Sequence, residues 1–187
     1  MERTLDQILA YHCAPALAGL KPANLVALSR EEFPDLEERL EDYRRLFARR
    51  GVALRTMCGC GRKVLLLLYR PAQLEEALRA PLAASLLEKD GYRPGEDLEA
   101  MLDRLGLRLR TEGDFPHEIG LFLGYPPEDV AGFQRHRGRN CKLCGYWKVY
   151  SDVDRAKALF RRYDRCRERL CARLAAGQSL RQVLQAA

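Results

Sequence analysis

Leu36, Leu40, Tyr43 and Phe47 recur at spacings of four, three and four, the rhythm of one apolar helix face. The pattern predicts a helix over 29–49, opened by Ser29 and closed by Gly51. Before it, 5–11 reads as a short helix, with Thr4 as N-cap and Gln7 three residues on, and Pro15 discourages its continuation. Residues 24–29 suit a strand. Two more strands, 52–57 and 63–70, flank the Cys58-Gly59-Cys60-Gly61 turn. The run Val64 to Tyr69 lacks alternation, which predicts a strand covered on both faces in the middle of a sheet.

Helical patterns follow at 74–89 and 97–107, separated by Gly91 and Pro94-Gly95, with short helices after Pro116 and at Pro127. The last strand candidate is 146–151. A long helix then spans 152–176. Leu159, Tyr163, Cys166, Leu170 and Leu174 form its apolar stripe, and Arg161, Arg162, Arg165, Arg169 and Arg173 lie largely off it. Ser179 caps a terminal helix. The order β-α-β-β-α-β is that of a split β-α-β or ferredoxin-like sandwich. The expected fold class is therefore α+β, with a small antiparallel or mixed sheet, a long C-terminal helix and a helical insertion over about 72–145.

Length suits a single domain over 1–187, and an apolar fraction of 47% is enough for a core of its own. The N-terminus lacks a basic start and an apolar stretch, and no apolar run approaches a membrane span of about 18 residues. These features point to a cytoplasmic protein. Charge is uneven: the segment from Gln134 onward holds 14 basic and 4 acidic residues, while the preceding 133 residues are net acidic. Only six of the 32 basic residues are lysine. Such a basic segment suits an anionic ligand, an acidic protein or nucleic acid. Seven cysteines without a secretory signal point to reduced thiols, some of them available to a metal.

Three segments carry candidate chemistry. Cys141-Lys-Leu-Cys144 has the spacing with which two thiolates hold one ion, zinc being the natural occupant if Cys58 and Cys60 or His136 complete the set. Residues 12–24 place an imidazole (His12), a thiol (Cys13), an ammonium (Lys21) and an amide (Asn24) among small residues that let a ligand approach the backbone. Residues 115–133 interrupt an apolar run with three glycines and three prolines, a poor recipe for helix stability alone. There His117 and Glu118 form a candidate acid/base pair near an expected helix N-terminus.

These segments, His12 to Leu25, Phe115 to Phe133 and Cys141 to Tyr150, together resemble a bacterial family catalogued as domain of unknown function 3793, met mainly in anaerobic Firmicutes and their relatives. The resemblance spans nearly the whole chain. It implies one family domain of this size, inside the cell, and supplies no activity. Cys58 and Cys60 fall outside the family pattern, which leaves Cys141 and Cys144 without assured metal partners.

The leading expectation is a small-molecule-binding protein for a phosphate- or carboxylate-bearing ligand, with catalysis left open. His12, His117 and Glu118 are the proton-transfer candidates, and Cys13, Lys21, Asn24, Arg70, Tyr125 and Lys148 the ligand contacts. The segments around 12–24 and 116–125 are expected to meet at one pocket. Two alternatives use the basic C-terminal segment: an adaptor docking an acidic protein such as a flavodoxin, and a nucleic-acid binder built on a Cys-x-x-Cys knuckle.

Overall fold

The computed structural model describes residues 4–59, 62–111 and 115–185. Helix α1 (Leu5–Leu17) opens with the expected capping box: the Gln7 amide donates to the Thr4 hydroxyl (3.3 Å), and the Thr4 amide donates to the Gln7 side chain (3.0 Å). It does not stop at residue 11 but runs through Pro15 to Leu17. A proline in the last turn removes only one backbone bond. That turn is also held from outside. The Ala16 amide donates to the Asn24 side chain (3.1 Å), and the Arg70 guanidinium donates to the carbonyls of Ala16 (2.7 Å) and Leu17 (2.6 Å).

Strands β1 (Ala23–Ser29), β2 (Ala53–Cys58) and β3 (Lys63–Tyr69) form one sheet in the order β1-β3-β2. Both neighbours run antiparallel to β3, from Ala23 opposite Tyr69 to Ser29 opposite Lys63 on one side, and with Ala53 opposite Tyr69 on the other. β1 and β2 are thus parallel, joined by α2 (Leu36–Ala48), with β3 inserted between them as in a split β-α-β unit. The helix expected from residue 29 begins only at Leu36. Pro34 disfavours helical geometry at Phe33, and residues 30–35 form a turn instead.

The strand expected over 146–151 does not join this sheet. Only Lys148–Val149 is extended (β5), and it pairs with Leu143–Cys144 (β4) in a separate two-stranded hairpin. Among the described residues the sheet therefore has three strands, without the fourth of a ferredoxin-like order. The helix expected over 74–89 is two, α3 (Pro71–Arg79) and α4 (Pro81–Lys89), with Pro81 in the first turn of the second. Then come α5 (Leu98–Thr111), α6 (Ile119–Phe122), α7 (Pro127–His136), the hairpin, α8 (Val153–Ala175) and α9 (Leu180–Gln185). Among the described residues no helix is long and apolar enough to cross a membrane.

The architecture is α+β, and its sheet is covered on both faces. Val64, Leu66 and Leu68 pack with α1, α2 and α9, while Leu67 and Tyr69 face the helices of 71–136. This explains the unalternating Val64–Tyr69 run. A third, smaller cluster joins the hairpin to α8 through Trp147, Val149, Ala156 and Tyr163.

Candidate functional site

The two segments expected to share one pocket touch at a close contact between Gly124 and the Pro22 ring, but no residue of 12–24 lines the aromatic cavity. Gly124 has a positive φ of 70°, and a Cβ there would lie 2.4 Å from the ring carbons of Pro22. The loop after α6 thus rests directly on the loop before β1. Gly124→Ala combines a left-handed backbone penalty with this overlap. It is expected to lower the thermal midpoint by roughly 5–10 °C, read by circular dichroism.

Beside this contact lies a cavity of about 300 Å³ walled by Phe115, Ile119, Tyr125, Val130, Phe133 and Trp147. Tyr125 and Trp147 are stacked at 5.2 Å, and the His117 ring meets Phe133 edge-on at 5.2 Å. The polar groups on the wall are His117, Lys148 and Asp129. The Lys148 ammonium donates to the Gly138 carbonyl (2.7 Å) and lies 5.8 Å from the Phe133 ring centre. One bond leaves it with unused donors. His117 is exposed at the rim.

Asp129 is committed to the fold. Its carboxylate accepts the Trp147 indole N–H (2.7 Å) and the amides of Tyr150 (2.8 Å) and Ser151 (2.7 Å). Burial opposes its charge, but these donors prevail and hold its pKa below the ordinary value. The same three bonds anchor the hairpin to α7 and fix the orientation of the Trp147 ring.

Glu118, expected as an acid/base group, is not on this wall. Its carboxylate is buried against Arg108 (2.7 Å) and accepts from the Tyr92 hydroxyl (3.2 Å). Burial pushes its pKa up, against the pull of Arg108. Adjacent residues on a helical turn point about 100° apart, so His117 and Glu118 part company. His12 lies exposed on α1, edge-on to Tyr11 at 5.0 Å, and does not line the aromatic cavity.

Lys21 and Cys13 are buried together behind the cavity wall. The Lys21 ammonium sits 5.3 Å from the Tyr125 ring centre and 5.9 Å from that of Tyr163. Burial lowers its pKa to about 8 against the influence of Cys13, and burial raises the Cys13 thiol to about 12. A thiol so protonated is a poor nucleophile. Asn24 and Arg70 close the end of α1, as described above. Of the residues singled out in the sequence, His117, Tyr125 and Lys148 share the aromatic cavity; His12, Cys13, Lys21, Asn24, Arg70 and Glu118 do not line it.

Cys141 and Cys144 sit at the start of the hairpin, half-buried and exposed respectively, both near enough to Tyr150 to reinforce the upward push that burial gives its phenol. Among the described residues no three His, Cys, Asp or Glu side chains gather closely enough to hold a metal ion. Cys60, expected as a possible partner, lies outside the described residues.

Trp147 and Phe133 were not singled out as ligand contacts. The mix of Phe133 with Gly and Pro in 115–133, and the aromatic pair Tyr146-Trp147, is the available signal. The architecture and this cavity describe an α+β domain with an aromatic pocket between a helical layer and a small hairpin. Residues 9–184 match the family described as protein of unknown function (DUF3793), and the chain belongs to that family. No curated protein and no solved structure matches the chain.

Proposed function

We propose that the protein binds a small, ring-bearing carboxylate in the aromatic cavity. The observation that carries this reading is the wall itself: stacked Tyr125 and Trp147, Phe133 edge-on to the His117 imidazole, and the Lys148 ammonium beside it in the lining. Such an inventory of apolar walls and few placed polar groups is the usual one of a small-molecule site. The volume of about 300 Å³ suits one ring with a short acidic arm. The ring stacks against the aromatic walls and the carboxylate takes the free N–H groups of Lys148. Asp129, whose oxygens are already occupied by three donors, does not compete for that cation. His117 is the proton-transfer candidate that such a ligand meets.

Calorimetry with phenylacetate and its neutral amide tests this. Phenylacetate is expected to bind at least tenfold tighter than phenylacetamide. His117→Glu, at an exposed position, and Lys148→Met should each weaken it by about 10–100-fold. Equal affinity for acid and amide in all three proteins would refute the assignment.

A further inference from the structure

A second concavity, sharing no residue with the aromatic one, lies between the end of α1, α8 and α9. Its volume is about 570 Å³. Among the described residues six arginines line it, Arg50, Arg70, Arg162, Arg165, Arg169 and Arg173, and no carboxylate does. Four of them come from α8 at spacings of three, four and four, which puts Arg162, Arg165, Arg169 and Arg173 on one helix face. Arg162, Arg165 and Arg169 are exposed, and their face runs along the rim of the cavity, beside Cys166 and Leu170.

Two of these guanidinium groups have partners in the fold. Arg70 donates to the carbonyls of Ala16, Leu17 and Arg50, and Arg173 to the Gln178 side chain (2.8 Å). Among the described residues Arg50, Arg162, Arg165 and Arg169 have no ion pair, although the chain pairs many of its other arginines. Like charges gathered this way repel one another. Water and salt screen part of that repulsion at the exposed Arg162, Arg165 and Arg169, and a bound polyanion relieves it further. A single carboxylate balances one of them. The planar fork of arginine matches phosphate oxygens two at a time, so four free guanidinium groups suit a chain of phosphates. The floor is apolar, made by Leu17, Leu20, Leu170 and Leu184. A neighbouring concavity of about 790 Å³ shares Arg50 and Arg70 and adds Arg49 and Arg181, together with Asp42 and with Arg45, which pairs with Glu41 (3.4 Å).

We propose that this arginine-lined cavity between α1, α8 and α9 is a binding site for a small molecule carrying two or more linked phosphates, of the kind found in a nucleoside diphosphate or a short polyphosphate. Four of the 14 basic residues from Gln134 onward thus stand on this one concavity. The site stands apart from the carboxylate reading of the aromatic cavity, and either can fail without the other.

Thermal unfolding and calorimetry on the full chain, with tripolyphosphate, ADP, orthophosphate and adenosine as probes, test the proposal. Tripolyphosphate and ADP are expected to raise the midpoint by about 5–10 °C at a hundredfold excess over their dissociation constants. Orthophosphate should bind at least tenfold more weakly, and adenosine not measurably. ADP binding tighter than tripolyphosphate identifies a nucleotide seated on the leucine floor, and the reverse order identifies the phosphate chain as the ligand. Arg165→Glu with Arg169→Glu should weaken both by about 100-fold, the loss of two charge-assisted contacts. Lys157→Glu with Arg161→Glu makes the same change in net charge at α8 positions that are exposed like Arg165 and Arg169 but do not line the cavity, and should cost less than threefold. Equal losses in the two double variants, or binding that follows ionic strength alone, would overturn the proposal. So would a single-stranded DNA oligonucleotide or polyglutamate that outcompetes ADP, because either marks an open polymer-binding face.

Discussion

Asp129→Ala is expected to be among the most damaging single substitutions in this chain, costing roughly 4 kcal/mol. The carboxylate accepts three N–H groups at 2.7–2.8 Å, from the indole of Trp147 and the amides of Tyr150 and Ser151. Each such bond to a charged group contributes about 1.5–3 kcal/mol, and removing the acceptor leaves its donors to seek water from a site that is 2% exposed. The hairpin of β4 and β5 has two residues per strand and cannot hold itself together, so its attachment to α7 rests on this residue. A fall of about 10–15 °C in thermal midpoint follows. Asp129→Asn keeps one acceptor oxygen and should fall by less.

The pH dependence has a definite sign. The folded pKa of Asp129 lies below its unfolded value, so its contribution is complete above the unfolded pKa and is lost as pH falls through the folded one. The gap between the wild-type and Asp129→Ala proteins should therefore be widest near neutrality and close below about pH 4. A constant gap across that range would mean that the substitution acts by disturbing packing.

Lys21→Met is expected to act in the opposite direction and stabilise the protein. Lys21 is 5% exposed, its ammonium faces two tyrosine rings, and burial lowers its pKa from 10.5 to about 8. At pH 7 the native state thus carries a buried charge at a cost of roughly 3 kcal/mol. Methionine fills the same volume without charge and keeps the contact with the rings. Below pH 8 both folded and unfolded wild-type chains hold the proton, and the penalty is fully present. Between pH 8 and 10.5 the unfolded chain binds more protons than the folded one, so wild-type stability gains on that of the variant as pH rises. The variant should melt about 5–10 °C higher at pH 7, and the advantage should vanish above pH 10.5. Chemical denaturation at pH 7 and pH 9.5 distinguishes this from simple repacking, which would give the same gain at both.

Elements set by local patterning were legible in the sequence. The Thr4–Gln7 cap, the three strands of the sheet, the central burial of Val64–Tyr69 and the long α8 all follow from periodicity and short-range chemistry. What was not legible depends on partners distant along the chain. Helix α1 survives Pro15 because Arg70, more than fifty residues away, caps its last carbonyls. Asn24 and Arg70 look like ligand contacts in sequence because the same polar groups that recognise an anion also close a helix end. The strand at 148–149 leaves the sheet because Asp129 binds the backbone at 150 and 151 and draws the segment to α7.

The candidate site was legible by composition and not by geometry. The density of glycine, proline and aromatic residues in 115–133 marked a segment that lines the aromatic cavity, where His117, Tyr125 and Lys148 come together. Adjacency misled at His117-Glu118, where one side chain faces the rim and the other the core. The arginines of α8 show the reverse case. Their three-four-four spacing was present in the sequence, but only the packing of α1 and α9 beside that face turns a charged stripe into a cavity.

Trp147 is the sole tryptophan of the chain and stands in the wall of the aromatic cavity, so its fluorescence reports directly on occupancy. A titration with phenylacetate is expected to change Trp147 emission saturably, with the change lost in His117→Glu and retained in Arg165→Glu with Arg169→Glu. Tripolyphosphate should leave the emission unaltered. No saturable change with phenylacetate, or the same change in the His117→Glu protein, would contradict the assignment of this cavity as a carboxylate-binding site.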